Sequence, residues 1–260
     1  MIIKNMDSLE RQPVRTQFLV FTLFGDYILP RGGEIWTGDL LYLLALLGVS
    51  ERATRSALSR MTRKGWLAAN KQGRRSRYSL TARGSTLLES GHRRIFEPVF
   101  TDWDGKWQLV VYSLPEEKRS KRHTLRTQLT WLGFGSLTPG AWISPHDRST
   151  ELERLFTDLE VGHLVDMFSG PYLGPSSGQK LVTRCWELDG LETKYHDFIT
   201  RYQPAYIQCR SQNSGALEPE DCFVRRFWLM HEFQAFTLKD PNLPIALLPL
   251  NWAGFAAREL

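Results

Sequence analysis

Four arginines and two serines recur along one short stretch of the chain, Arg52, Arg55, Ser56, Ser59, Arg60 and Arg63, with only Glu51 as an acid nearby. At helical spacing they spread over one broad side of a rod. Thr54, Ala57, Leu58 and Met61 fall three and four residues apart and make a small inner face. Arginine carries a planar fork that matches two acceptors on guanine, and serine and arginine both hold phosphate oxygens. The chemistry on offer is recognition of duplex DNA in a major groove. A second basic group follows directly: Lys71, Arg74, Arg75 and Arg77 flank Gly73, between two short runs that read as strands. A hairpin with a cationic tip can straddle a minor groove or a phosphate backbone. A solvated basic face is the plain alternative, and the succession of a basic helix and a basic hairpin favours DNA.

Other constellations carry less. Gly174-Pro175-Ser176-Ser177-Gly178 has the spacing of a nucleophile elbow, but its prolines and glycines read as a loop rather than a strand-to-helix turn. His231-Glu232 lacks a second histidine at metalloprotease spacing, and Gly133-Phe134-Gly135 lacks the third glycine of a dinucleotide fingerprint. The histidines and cysteines do not pair at zinc-ligand spacing. No catalytic residue, metal ligand or cofactor is therefore expected.

The charge distribution supports a polyanion partner. The net charge is +5, yet residues 11–95 hold 15 Lys and Arg against 5 Asp and Glu, while residues 96–260 hold 17 against 21. All of the positive excess lies in the first third, where clustered cations gain by releasing phosphate counterions. The longest uncharged apolar run, Leu40 to Val49, is too short to span a bilayer, and the first residues show no secretory signal. Three widely spaced cysteines, Cys185, Cys209 and Cys222, do not suggest a disulfide framework. The expected setting is a reducing cytoplasm, with no membrane partner.

The elements that must position these side chains follow from caps and breakers. Residues 13–29 read as an apolar helix with Pro13 in its first turn. Thr37 is expected to cap a second helix that stops at Gly48, and Ser50 a third that stops at Gly65. Helix, short glycine turn and helix make a helix-turn-helix. Trp66–Ala69 and Ser76–Leu80 are the expected strands of the hairpin, and Thr81 caps a further helix. A boundary is placed near residue 97. Beyond it the order is strand 109–115, helix 116–132, two strands around Pro139-Gly140, a helix capped by Ser149 or Thr150, and a strand near 163–170. That is the ferredoxin-like order. From Gln179 the pattern is helical, with one helix ending near Gln203-Pro204 and another rich in aromatics: Phe223, Phe227, Trp228, Phe233 and Phe236. The expected class is α+β: a winged helix-turn-helix over 1–96, a ferredoxin-like domain over 97–175 and a mostly helical domain over 176–260.

The run GVSERATRSALSRMTRKGWLAANKQGRRSRYSLTARG resembles the N-terminal domain of the PaaX family, transcriptional repressors of aromatic-acid (phenylacetate) catabolism. It is also distantly similar to the GntR-type winged helix, although Thr54 stands where that pattern has an apolar residue. WDGKWQLVVYSLPEEKRSKRHTLRTQLTWLGFGSLTPGAWISP resembles the PaaX middle domain, and DP-x-LP, LLP and NW-x-G over residues 240–254 resemble its C-terminal domain. The resemblance implies a homodimer that reads an inverted repeat in double-stranded operator DNA. It also implies release by an aryl-acyl-CoA effector, typically phenylacetyl-CoA, bound outside the winged helix. The alternative is the same architecture with a different acyl-CoA effector. Arg225 and Trp228, on the aromatic helix, are the candidate effector contacts, against a reading in which those aromatics only pack. PaaX middle domains are similar to small CRISPR-associated endoribonucleases, so a rival reading makes Asp102 and Asp104 metal-binding carboxylates of a nuclease. Two carboxylates in a WDG turn more often form the turn itself.

Overall fold

Leu19, Val20, Leu23 and Phe24 sit on one side of the first helix, and all four are buried. The structure, a computed structural model, describes residues 15–96, 103–211 and 218–260. The readings that depend on Pro13, Asp102 and the side chain of Cys209 lie outside what is described. Helix α1 (Thr16–Leu23) passes into a π-helical turn, Phe24–Ile28, and a 3-10 turn, Leu29–Arg31, in place of one uniform helix. Gly32 and Gly33, both at positive φ, end it.

Next come β1 (Glu34–Trp36), α2 (Thr37–Leu46), α3 (Glu51–Arg63), β2 (Leu67–Gln72), β3 (Arg75–Leu80) and α4 (Ala82–Phe96). The three strands form an antiparallel sheet in the order β1-β3-β2. Strand β1, too short to show alternation, was not expected. It changes the role of Thr37: the N-cap of α2 is Trp36, and the Thr37 hydroxyl donates to the Ser76 carbonyl at 2.9 Å, tying α2 to β3.

Contacts divide the chain into two units: Met1–Glu97 with Asn213–Gln234, and Pro98–Gln212 with Ala235–Leu260. Helix α9 (Pro219–Thr237) opens with proline in its first turn, where the missing N–H has no helical partner to lose. Its Phe227 and Trp228 enter the same core as Leu23, Phe24, Leu40 and Leu58. A polar chain runs beside that core. Thr22 Oγ donates to Gln234 Oε1 at 3.2 Å, so its lone pairs are left to accept from His231 Nδ1 at 2.9 Å. Gln234 Nε2 in turn donates to the Asp26 carboxylate at 3.2 Å. Burial holds the His231 imidazole neutral, with its pKa lowered to about 4, and pushes the Asp26 carboxyl up.

In the second unit the order is β4 (Lys106–Tyr112), α5 (Arg119–Trp131), β5 (Gly135–Thr138), β6 (Ala141–Ser144), α6 (Ser149–Asp158) and β7 (Val165–Pro171). All neighbours are antiparallel, in the order β5-β6-β4-β7. Leu125 and Leu129 of α5 and Leu152 and Phe156 of α6 pack with Val110 and Tyr112 of β4, so both helices share one face of the sheet. The start of α6 is held by neither Ser149 nor Thr150. Asp147 accepts from the Ser149 N–H at 2.9 Å and hydroxyl at 2.6 Å, which keeps its pKa low. The remaining helices are α7 (Gly178–Cys185), α8 (Leu188–Ser211) and α10 (Ala253–Glu259). Helix α8 does not stop near Pro204 but runs through it, losing one backbone bond there. The DP-x-LP segment is a buried clamp. Asp240 accepts from the Tyr195 hydroxyl at 2.5 Å and from the Asn242 N–H at 2.7 Å, and Asn242 takes a positive φ. Helices together with two antiparallel sheets make the chain an α+β protein.

Candidate nucleic-acid interface

Helix α3 is fixed at both ends by its own sequence. Ser50 Oγ accepts from the Ala53 N–H at 3.3 Å, and Gly65 takes a positive φ just beyond the C-cap Lys64. The helix then has only one apolar side to bury. Thr54, Ala57, Leu58 and Met61 all lie inside, at 1% exposure or less. Arg52, Arg55, Ser56, Ser59, Arg60 and Arg63 are all exposed on the remaining surface. Two of the cations are already oriented by neighbours one turn away: Arg55 Nε donates to Glu51 Oε1 at 2.7 Å, and Arg60 Nη1 to Ser56 Oγ at 2.8 Å.

The tight turn between α2 and α3 comes from Gly48 and Val49. Gly48 takes φ +82°, a left-handed conformation that glycine adopts without a Cβ penalty, and the Val49 N–H returns to the Leu44 carbonyl at 2.9 Å. Val49 packs against the core, so the turn is plugged from inside.

The hairpin is longer than expected. Its register pairs Leu67 with Leu80 and runs to Gln72 opposite Arg75, leaving Gly73 and Arg74 as the tip. Lys71, Arg74 and Arg75 are exposed. Arg77 is different. It is half-buried, its guanidinium lies over the Trp36 ring, and it pairs with Glu34 at 3.3 Å. Nine of the ten expected DNA-facing side chains thus lie on the surface, and the tenth braces β1 against β3. Trp36 was missed at the sequence level because nothing marked Glu34–Trp36 as a strand. The base of the hairpin is locked by Thr81, whose hydroxyl donates to the Gly65 carbonyl at 2.6 Å and accepts from the Gly84 N–H at 3.0 Å. Gly84 allows α4 to pass close by: a Cβ there would stand 2.2 Å from the Trp66 carbonyl oxygen.

The other candidates sit in ordinary structural roles. Asp104 accepts from the Lys106 N–H at 2.9 Å and pairs with Lys106 Nζ at 3.0 Å, and these contacts lower its pKa. It shapes the turn into β4. Ser177 caps α7 by accepting from the Lys180 N–H at 3.3 Å. Trp228 is 5% exposed and packs edge-on against Phe227 and His231. Arg225 is half-buried on the same helix, and Arg226 lies 5.4 Å from the Tyr27 ring centroid. No helix among the described residues is long and apolar enough to cross a membrane.

Three family models match the chain in succession: "PaaX-like protein" over residues 15–84, "PaaX protein central Cas2-like domain" over 101–182, and "PaaX-like protein C-terminal domain" over 186–260. The chain is 35% identical, over 251 residues, to the transcriptional repressor PaaX of Escherichia coli strain K12, an alignment that covers 95% of this chain and 78% of that protein. Among solved structures it is similar to the uncharacterized protein Rv0674 of Mycobacterium tuberculosis, with a TM-score of 0.64, 23% identity, and coverage of 95% of this chain and 92% of that one; this likeness concerns the fold alone. With identity at this level over nearly its whole length, and with all three segments matched in order, the chain belongs to the PaaX family.

Proposed function

We propose that the chain is a DNA-binding transcriptional repressor of an aromatic-acid (phenylacetate) catabolic operon, released from its operator by an aryl-acyl-CoA such as phenylacetyl-CoA. The observation that carries this reading is helix α3. Its apolar side is fully spent on the core, and its outward side offers four arginines and two serines with the basic β2–β3 hairpin next in the chain. In a winged helix-turn-helix, α3 is the recognition helix in the major groove and the hairpin is the wing on the adjacent backbone. The name of the Escherichia coli relative supports repression.

The central segment reads as ferredoxin-like, supported by its antiparallel strand order with both helices on one face. The working division is 1–96, 97–175 and 176–260. A homodimer presents two recognition helices to an inverted repeat, with the half-site spacing set by the dimer axis. For the effector, Arg225 and Trp228 are the candidate contacts. Trp228 would act from within the core, by shifting packing as ligand binds. Effector release requires only that the acyl-CoA bind the DNA-free arrangement more tightly, and about 1.4 kcal/mol of coupling gives a tenfold loss of DNA affinity. A cytoplasmic location accompanies this role.

The test is a gel shift on the region upstream of the chain's own operon, with and without a panel of acyl-CoAs. The wild type is expected to retard that duplex and to release it with an arylacetyl-CoA, and Arg60→Ala to lose the retardation while staying folded. Wild-type affinity in Arg60→Ala would overturn the role of α3, and release by an unrelated acyl-CoA alone would replace the effector.

A further inference from the structure

Glu51 is the one acid on the DNA-facing side of α3, and electrostatics alone makes it a poor choice beside phosphates. It occupies the first residue of the helix, where its charge meets the positive end of the helix dipole. Its more specific contact is with Arg55. The carboxylate accepts from Nε at 2.7 Å while both side chains stay well exposed, at 58% and 65% for Arg55 and Glu51. An exposed pair of this kind contributes little to stability. It does constrain direction. Nε lies on the flank of the guanidinium, so a bond there fixes the plane of the group and leaves both Nη groups at its tip. Among the described residues those Nη groups take no other partner. Two parallel N–H donors at the tip are the pattern that matches guanine O6 and N7. Arg60 is held differently, through Nη1, which uses part of its tip.

We infer that Glu51 is a positioning residue for base readout: it holds Arg55 with its fork presented to one guanine per half-site, and it discriminates against sequences that offer only phosphates. The inference rests on α3 being the recognition helix. Residues in the first turns of such a helix reach base edges, which is where Glu51 and Arg55 lie. Without the carboxylate, Arg55 regains its rotamers and its charge is free for any phosphate. Affinity for arbitrary DNA then holds or rises while preference for the operator falls. A residue that merely stabilised the helix would weaken both kinds of binding together.

The experiment measures affinity of the full chain for the operator duplex, for a scrambled duplex of equal length, and for operators with single base-pair changes, at one salt concentration. Glu51→Ala is expected to lower the operator-to-scrambled ratio about tenfold, with scrambled binding no weaker than wild type and the loss confined to one G·C pair per half-site. Arg55→Ala should lose preference at that same pair, and the double variant should lose no more than Arg55→Ala alone. Glu51→Gln keeps an oxygen acceptor and the length of the side chain, so it should retain most of the ratio, which also answers any concern over folding of the alanine variant. An unchanged ratio in Glu51→Ala, or losses from the two single variants that simply add, overturns the inference while leaving the repressor reading intact. A wild type with no preference for any upstream duplex overturns the repressor reading itself.

Discussion

The Arg77 guanidinium lies 4.1 Å from the centroid of the Trp36 ring, with its outer edge on Glu34. The cation nearest the base of the hairpin is therefore occupied in holding β1 to β3, whereas Arg74 at the tip stands in solvent. The two arginines should separate cleanly. Arg77→Ala is expected to cost about 1 kcal/mol of stability, the scale of a cation–π contact, and to change the salt dependence of DNA binding little. Arg74→Ala should leave stability unchanged, weaken specific and non-specific DNA alike, and flatten the slope of log K against log salt by about one. Urea melts and DNA titrations at several salt concentrations check both.

Thr54 carries a hydroxyl into a site with 0% exposure, and its oxygen finds no hydrogen-bond partner among the described residues. Valine has the same shape without the polar atom. Thr54→Val should stabilise the fold by about 1 kcal/mol in denaturant melts and leave DNA affinity unchanged, because the residue points away from the exposed side of α3.

Gly84→Ala should destabilise by roughly 1–3 kcal/mol, the usual range for forcing extra volume into a packed site. The added carbon meets the Trp66 carbonyl, a backbone atom that cannot swing aside. Because Thr81 bonds to the Gly84 N–H and to the Gly65 carbonyl, the base of the hairpin should loosen as well. Amide exchange is expected to speed up first at Leu67 and Leu80.

His231 links stability to pH. Its pKa is lowered to about 4 in the fold, against an ordinary value near 6.5, because burial disfavours the cation. The unfolded chain thus takes up a proton below about pH 6.5 that the folded chain refuses until near pH 4. Stability is full above that window and falls as pH drops through it, by at most about 1.4 kcal/mol per pH unit. Asp26, raised by burial, acts with the opposite sign just above its ordinary range and offsets part of the loss at the acid end. Denaturant melts between pH 7 and pH 4.5 should show the decline in the wild type and a flatter profile in His231→Gln.

What could be read from the residues was governed by local chemistry. Ser50 and Thr81 accept from backbone N–H groups three residues on, and both caps follow from residue type and position. The sorting of α3 into two faces needed only its period. The order of strands and helices from β4 to β7 followed from patterning and turn residues. Misses came where distant parts of the chain decide. Three residues of β1 have no pattern of their own and exist because β3 offers an edge. Thr37 and Ser149 looked like caps, but Thr37 is drawn to β3, and at Ser149 the adjacent Asp147 carboxylate is the stronger acceptor. Helix α8 continues through Pro204 after Tyr195, Phe198 and Tyr202 have been buried in the turns before it. In the candidate interface, the identity of the exposed cations was legible, while the diversion of Arg77 to Trp36 was not.

Phe227 and Trp228 complete a core whose other members all come from the first eighty residues of the chain. During synthesis, then, the ribosome has released the entire basic helix and hairpin long before it makes the aromatic turns that close the space beneath Phe24. A nascent or truncated product ending before α9 would carry those cations on an unfinished support, with oily side chains facing water. The exposed cations of α3 thus rest on a support that only a chain extending through α9 completes.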